Sequence, residues 1–539
     1  METSETEGME NQLEQLQVLS IWTAVLAMKE YMINSGRNMW SSKTTVAAFC
    51  GALLIGAFIS ARWVDSSFTG TERPSMKASK SSEDHEQFRN PNKRLTTRPR
   101  NRTEIPLACT SFNQTKACPA LRFWNSSTTG DTPPEADCPS YFSWIHEDLK
   151  PWKATGISKE LVESGIPKAD FRLVIVKGRA YIETFRKSFQ TRDVFTQWGI
   201  LQLLRRYPGQ LPDLDLMFNC GDRPVVKKVD YKQSEPPPLF RYCGDDESLD
   251  IVFPDWSFWG WTEIHIKPWE LLQKELQKGN INLKWVDREP YAFWKGNPST
   301  SSSRWELLKC NVSKNQDWNA RVFTQDWIAE SHRGFKQSDL ANQCNYRYKI
   351  YMEGVAWSVS QKYILACNSM TLMGKSRYHD FFNRVLMPKH HYWPLKNDHL
   401  CKSIKLAVHW GNTHKRQAQV IGKTASGYVQ EQLKMDYIYD YMFHALNEYA
   451  KLLTFKPTIP PKAVEFCSES MACYAKGLEN TYMIETLEKF SKDSSPCSLP
   501  PPYDPQNLQS FLKVKADSRK QVEDWERRTW EALNNDEVY

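Results

Sequence analysis

Asp222 is the residue whose type and setting first indicate chemistry. It lies in the loop Asn219–Pro224, directly after the apolar run Leu214–Phe218, which predicts a buried strand. A carboxylate at the carboxyl end of a strand can face a cleft and accept the proton of a hydroxyl group. An aspartate beside glycine and proline is, however, more often a turn residue. The residues alone leave both roles open.

Lys295 and Arg304 are candidates for stabilising the negative charge of a departing diphosphate. Lys295 follows the short predicted strand Tyr291–Trp294, and Arg304 comes after the serine-rich stretch Ser299–Ser303. Fixed cations aimed at a developing negative charge lower the barrier to its formation. The alternative is an edge strand with a solvated lysine and an arginine on a helix surface.

A strand–glycine–helix unit provides the third candidate. Tyr348–Met352 predicts a buried strand, Gly354 a turn, and Trp357–Cys367 a short helix. Ser358 and Ser360 are then expected in the first helical turn, where free N–H groups and the helix dipole favour a phosphate. An ordinary connection with a serine cap is the alternative.

The same unit carries a resemblance to a known family. Gly354–Ser358, with Lys362-Tyr363 and Ala366–Ser369, resembles the central motif of glycosyltransferase family 90. That family includes the rumi-like protein O-glucosyltransferases and the fungal capsule-associated xylosyltransferases. Matching blocks continue in the same order from near Ser140 to Phe455. The resemblance implies an α/β fold of GT-B architecture, two Rossmann-like domains facing across a cleft, and an inverting, metal-independent transferase.

The resemblance also implies roles for individual residues. Rumi-like enzymes have Asn-x-x-Asp-x-Pro at 219–224 and use the aspartate as the base, which carries over to Asp222. Lys295 and Arg304 take the positions of two basic residues of the family. Rumi-like enzymes have arginine where this chain has Lys295, so a bidentate grip on phosphate becomes a point charge. The donor is expected to be a UDP-sugar, glucose or xylose, with no further cofactor.

The implied nucleotide-binding loop departs from the animal enzymes at one position. Those enzymes have arginine where this chain has Ser360, so the phosphate contacts are expected to differ. Lys362 either compensates or lies along the helix surface. Cys344 and Cys367 match a disulfide of the rumi-like fold and are expected to be bridged. The loop residues carried over from the family motif are Gly354, Val355, Ala356, Trp357, Ser358, Ser360 and Lys362.

An aromatic segment, Phe253–Trp261, is also shared with the family. Trp256 and Trp259 are either an acceptor platform or core residues, and core packing is the more common use of such residues. The acidic cluster Gly244–Glu247 could hold a metal ion, but we interpret it as a solvated turn because the family resembles metal-independent enzymes. No metal is predicted.

Composition is consistent with a large enzyme of the secretory pathway. The chain has 539 residues, a net charge of +7 and 21 tryptophans, enough for two or three domains. The basic residues are scattered through a mixed-charge chain, so nucleic-acid binding is not predicted. The tryptophan content is compatible with carbohydrate contacts.

One segment predicts a membrane anchor. Thr44–Ala61 contains no charged residue and is followed by Arg62, which fits a short transmembrane helix in a lipid bilayer. We expect a single-pass, type II protein of the Golgi membrane, with the endoplasmic reticulum membrane as the alternative. The chain ends Asp536–Tyr539 rather than in a retrieval tetrapeptide.

The chain is accordingly predicted to have six parts. They are a cytosolic tail (1–43), the anchor (44–61), a flexible stem (62–105), a cysteine-containing cap (106–150), a two-lobed catalytic region (151–457, divided near 320–340) and a cysteine-containing extension (458–539).

Cysteines and glycosylation sequons agree with a luminal body. Twelve of the thirteen cysteines follow the anchor, an even number, as expected for disulfides. Four sequons for N-glycans also follow it. They are Asn101, Asn113, Asn125 and Asn311.

Strand and helix patterns alternate through the middle of the chain. A hairpin is expected at Lys177-Gly178, and the alternation predicts parallel sheets of the Rossmann kind. Predicted strands are 171–176, 180–184, 214–220, 291–294, 348–352 and 369–373, and predicted helices 194–206, 268–278, 357–367 and 521–533.

Two functions remain open from the sequence. The first is transfer of a sugar to a protein hydroxyl or a polysaccharide. The second is a catalytically degenerate carbohydrate-binding or scaffolding protein on the same fold, which the serine at position 360 keeps open. The oligomeric state is not predicted.

Overall fold

A computed structural model describes residues 104–119, 136–336, 338–492 and 494–536. The predicted tail, anchor and nearly all of the stem lie outside these ranges, as do the sequons at Asn101 and Asn125. Within the described ranges, no helix combines the length and the apolar character needed to cross a bilayer.

The first of two large sheets is mixed. Its strands are β1 (Phe171–Val176), β2 (Arg179–Thr184), β3 (Leu214–Phe218), β4 (Leu239–Arg241), β6 (Ile251–Val252) and β13 (Val464–Phe466). They are ordered β13-β2-β1-β3-β4-β6. Only β3, β4 and β6 run parallel, while β1 pairs antiparallel with both β2 and β3. The prediction of parallel sheets is therefore wrong for this half.

The hairpin of β1 and β2 explains the difference. The predicted turn at Lys177-Gly178 is confirmed, with φ values of 50° and 72°. Two residues with positive φ form the tight turn that suits the twist of a hairpin. Because such a turn reverses the chain directly, the two strands can only be antiparallel neighbours.

The second sheet is entirely parallel. Its strands are β7 (Glu289–Gly296), β8 (Ala320–Thr324), β9 (Tyr346–Tyr351), β10 (Met370–Met373) and β12 (Trp393–Pro394). They are ordered β12-β10-β9-β7-β8. β7 already belongs to this sheet, so the second sheet begins by Glu289, before the predicted division near 320–340. A small antiparallel pair, β5 (Gly244–Asp245) with β11 (Tyr378–His379), joins segments of the two halves.

Helices connect the strands and cover the sheets. They are α1 (Cys109–Thr115), α2 (Trp144–Asp148), α3 (Lys159–Glu163), α4 (Arg192–Arg206), α5 (Trp269–Asn282), α6 (Ser302–Leu308), α7 (Trp327–His332), α8 (Ser360–Leu365), α9 (Leu400–Thr413), α10 (Lys415–Gln432), α11 (Met435–Ala450), α12 (Ser468–Ala472), α13 (Gly477–Glu485) and α14 (Pro505–Asp536). α9 and α10 pack against β7 and β10, whereas α11 returns to pack against β3 and α4.

Disulfides tie the two ends of the described chain together. Cys109–Cys473, Cys118–Cys467 and Cys138–Cys497 join the predicted cap to the predicted extension. Cys310–Cys401 and Cys344–Cys367 lie within the second half. Cys220 and Cys243 are buried thiols. These two thiols follow β3 and β4 inside the core, so the even number of cysteines beyond the predicted anchor does not correspond to complete pairing.

The long helix α14 is anchored on the second half through a buried carboxyl group. Glu526 accepts a hydrogen bond from the hydroxyl of Ser403 in α9 (2.6 Å), and burial raises the pKa of Glu526 from 4.5 to about 7. The folded state thus holds this proton more tightly than the unfolded chain, and its stability falls as the pH rises from about 4.5 to about 7.

Replacing Glu526 by glutamine should remove this pH dependence. We expect the variant to be more stable than the wild type above pH 7 by about 1–3 kcal/mol, and of similar stability near pH 4.5. Melting temperatures of both proteins at several pH values measure the effect. An unchanged difference between wild type and variant across that range would contradict it.

Candidate active site

Asp222 lies in a fixed loop at the carboxyl end of β3. The strand is buried along its whole length. The side chains of Asp170 and Asn219 accept hydrogen bonds from two main-chain N–H groups of the loop (2.7 and 2.8 Å). The side chain of Asp222 is 36% exposed, and its Oδ1 accepts a hydrogen bond from Nη1 of the buried Arg192 (3.0 Å). A carboxylate is thus held at the sheet edge with access to solvent.

The loop of Asp222 touches the glycine loop that follows β9. Nε of Arg223 donates to the main-chain oxygen of Val355 (3.3 Å). On the other side, the thiol of Cys243 donates to the main-chain oxygen of Asp222 (3.1 Å). The carboxyl ends of β3 and β9 therefore meet, and the structure brings Asp222 together with the Gly354–Trp357 loop.

Arg304 is buried beneath the glycine loop. Its guanidinium donates to three main-chain oxygens, those of Glu353 (2.9 Å), Met352 (3.0 Å) and Asn297 (3.1 Å). Nη2 also donates to the hydroxyl of Ser358 (3.3 Å). Burial lowers the pKa of Arg304 to about 10, so the side chain keeps its charge at neutral pH. Through these hydrogen bonds, Arg304 supports the glycine loop that follows β9.

Ser358 and Ser360 form a hydroxyl pair at the same loop. Their Oγ atoms are 2.8 Å apart, and the N–H of Ser358 donates to the hydroxyl of Tyr351 (3.2 Å). α8 begins at Ser360, so the expectation that Ser358 lies in the first helical turn is wrong. The polar chain Arg304–Ser358–Ser360 links a buried cation to two half-buried hydroxyl groups.

Lys295 faces a cavity of about 390 Å³ beside β7. Its Nζ is 4.0 Å from Oε1 of Glu330, which is buried. Trp294, the preceding residue, lies next to Arg304, whose guanidinium carbon is 5.7 Å from the indole centroid. Because side chains alternate along a strand, Trp294 and Lys295 point to opposite faces of β7. Arg304, which packs on Trp294, therefore lies on the face opposite to Lys295. The cavity is lined by aromatic, basic and acidic residues, among them Phe293, Phe323, Tyr346, Arg333, Lys336, Asp326 and Asp339.

Lys362 does not reach the Gly354–Ser358 loop, with which the family motif groups it. Its side chain is buried, and Nζ donates to the hydroxyl of Ser257 (2.7 Å) and lies 3.5 Å from a carboxylate oxygen of Asp255. The expected contact of Lys362 with a nucleotide is therefore wrong. Its charge is compensated by a carboxylate that follows β6, so this lysine joins α8 to the first half of the protein.

Trp256 and Trp259 are core residues. They are 1% and 0% exposed, so neither ring offers an open face, and the expected acceptor platform at these positions is wrong. The indole of Trp259 donates to the hydroxyl of Tyr439 (3.0 Å). In the acidic cluster, Asp246 and Glu247 form an exposed turn, as expected, whereas Asp245 is buried and paired with Lys227 and Arg377 (3.3 Å each).

Replacing Gly199 by alanine tests the packing around Trp259. A Cβ atom at position 199 in α4 would lie 2.5 Å from the indole of Trp259. Because overpacking a dense core costs about 1–3 kcal/mol, we expect the melting temperature of the variant to fall by several degrees. Gly427→Ala in α10 is the matched control, since no atom lies within 4 Å of its added Cβ. Equal melting temperatures for both variants would contradict the packing argument.

Three residues of the site were not anticipated from the sequence. Arg192 and Cys243 contact Asp222, and Glu330 faces Lys295. Arg192 begins α4 and Cys243 follows β4, so each lies at the end of an element that borders the Asp222 loop. That position is the only signal the sequence offers. Of the sequons within the described ranges, Asn113 and Asn311 are both exposed.

Comparison with known proteins identifies a family. A sequence model described as "Glycosyl transferase family 90" matches residues 133–526. The match extends beyond Phe455, where the motif resemblance fades, and includes most of the extension.

Curated relatives with this similarity have names that state an activity. The chain is 27% identical over 337 residues to "O-glucosyltransferase rumi" of Drosophila pseudoobscura pseudoobscura, covering 60% of this chain and 80% of that protein. It is 28% identical over 340 residues to "Protein O-glucosyltransferase 1" of Bos taurus and 27% identical to that of Homo sapiens, each covering 60% of this chain and 82% of the relative.

Proposed function

The chain belongs to glycosyltransferase family 90 and is a glycosyltransferase, and we propose that it transfers glucose or xylose from a UDP-sugar to a protein hydroxyl. The reaction proposed is inverting and needs no metal, on a fold of GT-B type. The observation that carries the proposal is the contact between the Asp222 loop and the Gly354–Trp357 loop. Relatives named as protein O-glucosyltransferases support a protein acceptor.

Asp222 is the base of the proposed reaction. The acceptor oxygen attacks the anomeric carbon while its proton passes to the carboxylate of Asp222. The bond between that carbon and the phosphate oxygen breaks, and the diphosphate leaves with the bonding electrons. The solvent access of Asp222 and its place beside the glycine loop support this role.

The departing diphosphate is proposed to lie against the glycine loop. Ser358 and Ser360 offer hydroxyl donors there, and Arg304 supplies a positive charge directly behind them. Arg304 carries no paired carboxylate in the described chain, so its field is available to an anion above the loop. Because Arg304 takes a position that is basic in the family, it does not replace the separate arginine that the animal enzymes have at position 360.

The nucleoside is proposed to occupy the cavity at Lys295. A volume of about 390 Å³ suits a nucleoside, and the rings of Phe293 and Phe323 are 5.5 Å apart. Aromatic faces of this kind suit a planar base, and Lys295, whose Nζ is 4.0 Å from Glu330, adds a positive charge to the wall of the cavity. The cavity borders β7 and β8 near their carboxyl ends, as expected of ligands in parallel sheets.

The proposed setting is the lumen of the Golgi, with anchoring by residues 44–61. The five disulfides of the described chain are compatible with an oxidising compartment. The exposed sequon asparagines Asn113 and Asn311 are compatible with it as well. The endoplasmic reticulum is the alternative compartment.

Release of UDP by the full-length, detergent-solubilised protein tests the proposal. The assay compares UDP-glucose, UDP-xylose and other UDP-sugars, each with a disulfide-bonded protein acceptor, with a polysaccharide and without acceptor. We expect release that depends on a protein acceptor and continues in EDTA. The anomeric configuration of the product, read by NMR, reports inversion.

Each part of the proposal has its own contrary outcome. Activity lost in EDTA and restored by Mn²⁺ would exclude the metal-independent reaction. Release that depends on the polysaccharide alone would exclude the protein acceptor. A product that keeps the configuration of the donor would exclude inversion.

A further inference from the structure

Arg192 is a buried cation that pairs with the proposed base. Its side chain is 6% exposed, against 36% for Asp222. Within the described part of the chain, Asp222 is the one carboxylate with which Arg192 forms an ion pair. Because Arg192 is buried and Asp222 is partly exposed, Arg192 is the more rigid partner of the ion pair.

One nitrogen of Arg192 holds two parts of the Asp222 loop. Nη1 donates to Oδ1 of Asp222 (3.0 Å) and to the main-chain oxygen of Cys220 (3.2 Å). Charge-assisted hydrogen bonds of this kind are stronger than neutral ones. Oδ2 of Asp222 has no hydrogen-bond partner within the described ranges, so one carboxylate oxygen is fixed and the other is available.

Aromatic rings fix the guanidinium itself. Its central carbon lies 4.5 Å from the ring centroid of Trp256 and 5.0 Å from that of Phe189. Arginine is attracted to aromatic faces at such distances. Trp256, which is buried, thus has a role next to the site as a support for Arg192.

The main chain of Arg192 is held as well. Its carbonyl oxygen accepts hydrogen bonds from the hydroxyls of Thr196 (2.8 Å) and Tyr242 (3.3 Å). The first of these residues lies in α4 and the second follows β4. The cation is therefore fixed from the helix, from the neighbouring strand end and from the aromatic rings.

We propose that Arg192 is the positioning residue for Asp222. It holds Oδ1 so that Oδ2 is presented to the acceptor hydroxyl, and it keeps the carboxylate in one rotamer between turnovers. The inference rests on the proposed role of Asp222 as the base. Lysine cannot fully replace Arg192, because its ammonium group is not planar. It therefore cannot stack on Trp256 and at the same time bridge Oδ1 of Asp222 and the main-chain oxygen of Cys220.

A double-mutant cycle in the full-length protein tests this role. Arg192→Gln and Arg192→Lys are each made alone and together with Asp222→Asn. We expect Arg192→Gln to lower kcat by about 10–100-fold, part of the 10²–10⁴-fold effect of a general base, with the donor KM unchanged. Arg192→Lys should recover part of the loss. In the Asp222→Asn background, either change should have less than about a twofold effect, as expected for residues that act as a unit.

Arg179→Gln is the matched control. Arg179 forms an ion pair with Glu465 in the same sheet, at the end of the β1–β2 hairpin opposite to Asp222. We expect wild-type kinetics for this variant, and melting temperatures report whether each variant is folded. If Arg192→Gln fails to fold, the kcat of Arg192→Lys, measured with and without Asp222→Asn, tests the positioning role instead.

The outcomes separate this inference from the proposed function. Equal losses from Arg192→Gln with and without Asp222→Asn would overturn the positioning role, since the effect would then not pass through the carboxylate. A raised donor KM with unchanged kcat would overturn it too. Wild-type activity of Asp222→Asn alone would instead overturn the assignment of the base.

Discussion

Replacing Asp222 by asparagine is expected to lower the rate of sugar transfer by about 10²–10⁴-fold, the usual contribution of a general base. Asparagine has nearly the same shape and retains an oxygen that can accept the hydrogen bond from Arg192. It cannot accept the proton of the acceptor hydroxyl at neutral pH. The loss should therefore fall on kcat, with little change in melting temperature or in affinity for UDP.

Asp213→Asn is the matched control for this variant. Asp213 precedes β3 at the opposite end of the strand, where its Oδ1 accepts a hydrogen bond from the main chain of Lys177 (2.6 Å). We expect wild-type transfer rates for it under the same conditions. Transfer by Asp222→Asn at the rate of this control would show that the base lies elsewhere.

Local chemistry explains which parts of the fold could be predicted. The hairpin of β1 and β2 was predictable because its turn depends on two adjacent residues, Lys177 and Gly178, with positive φ. The mixed order of the first sheet was not, because it depends on contacts between distant segments. β13, near residue 465, pairs with β2, and nothing within either strand specifies the partner.

The same distinction applies to the cysteines. Ten of the twelve beyond residue 61 are bridged, but three bridges join segments separated by about 350 residues. Spacing in the sequence cannot specify such pairs. Cys220 and Cys243 follow neighbouring strands, and burial raises the pKa of both thiols. Their position, rather than their number, explains why they stay unpaired.

At the site, strand ends could be located but side-chain directions could not. Asp222 and Gly354 each follow a strand whose apolar pattern is evident, so their positions at strand ends could be predicted from the sequence. The direction of Lys362 is set by Asp255 and Ser257, which belong to the other half of the protein. Trp256 likewise packs against Arg192, which lies in a separate segment of the chain, with 4.5 Å between the guanidinium carbon and the ring centroid.

Replacing Arg304 by methionine is expected to disrupt the glycine loop. The change removes the charged donor of the main-chain oxygens of Asn297, Met352 and Glu353. Within the described chain, the oxygens of Asn297 and Glu353 keep only the hydroxyl donors of Thr300 and Ser301 (3.2 Å each). Since a hydrogen bond from a charged group contributes about 1.5–3 kcal/mol, the loss of three such bonds should lower the free energy of unfolding by about 3 kcal/mol or more. The KM for the sugar donor should rise at the same time, because the hydroxyl of Ser358 loses its charged hydrogen-bond donor and the loop loses its positive charge.

Two further variants separate the contribution of geometry from that of charge. Arg304→Lys keeps the charge but cannot reach all three oxygens with a single ammonium group, so we expect an intermediate loss of stability and a smaller rise in donor KM. Arg321→Met, in β8 of the same sheet, removes an arginine paired with Asp317 near the surface and should cost less than about 1 kcal/mol. If Arg304→Met and Arg321→Met had equal effects on stability and on donor KM, Arg304 would be an ordinary surface cation. The glycine loop would then owe its shape to other contacts.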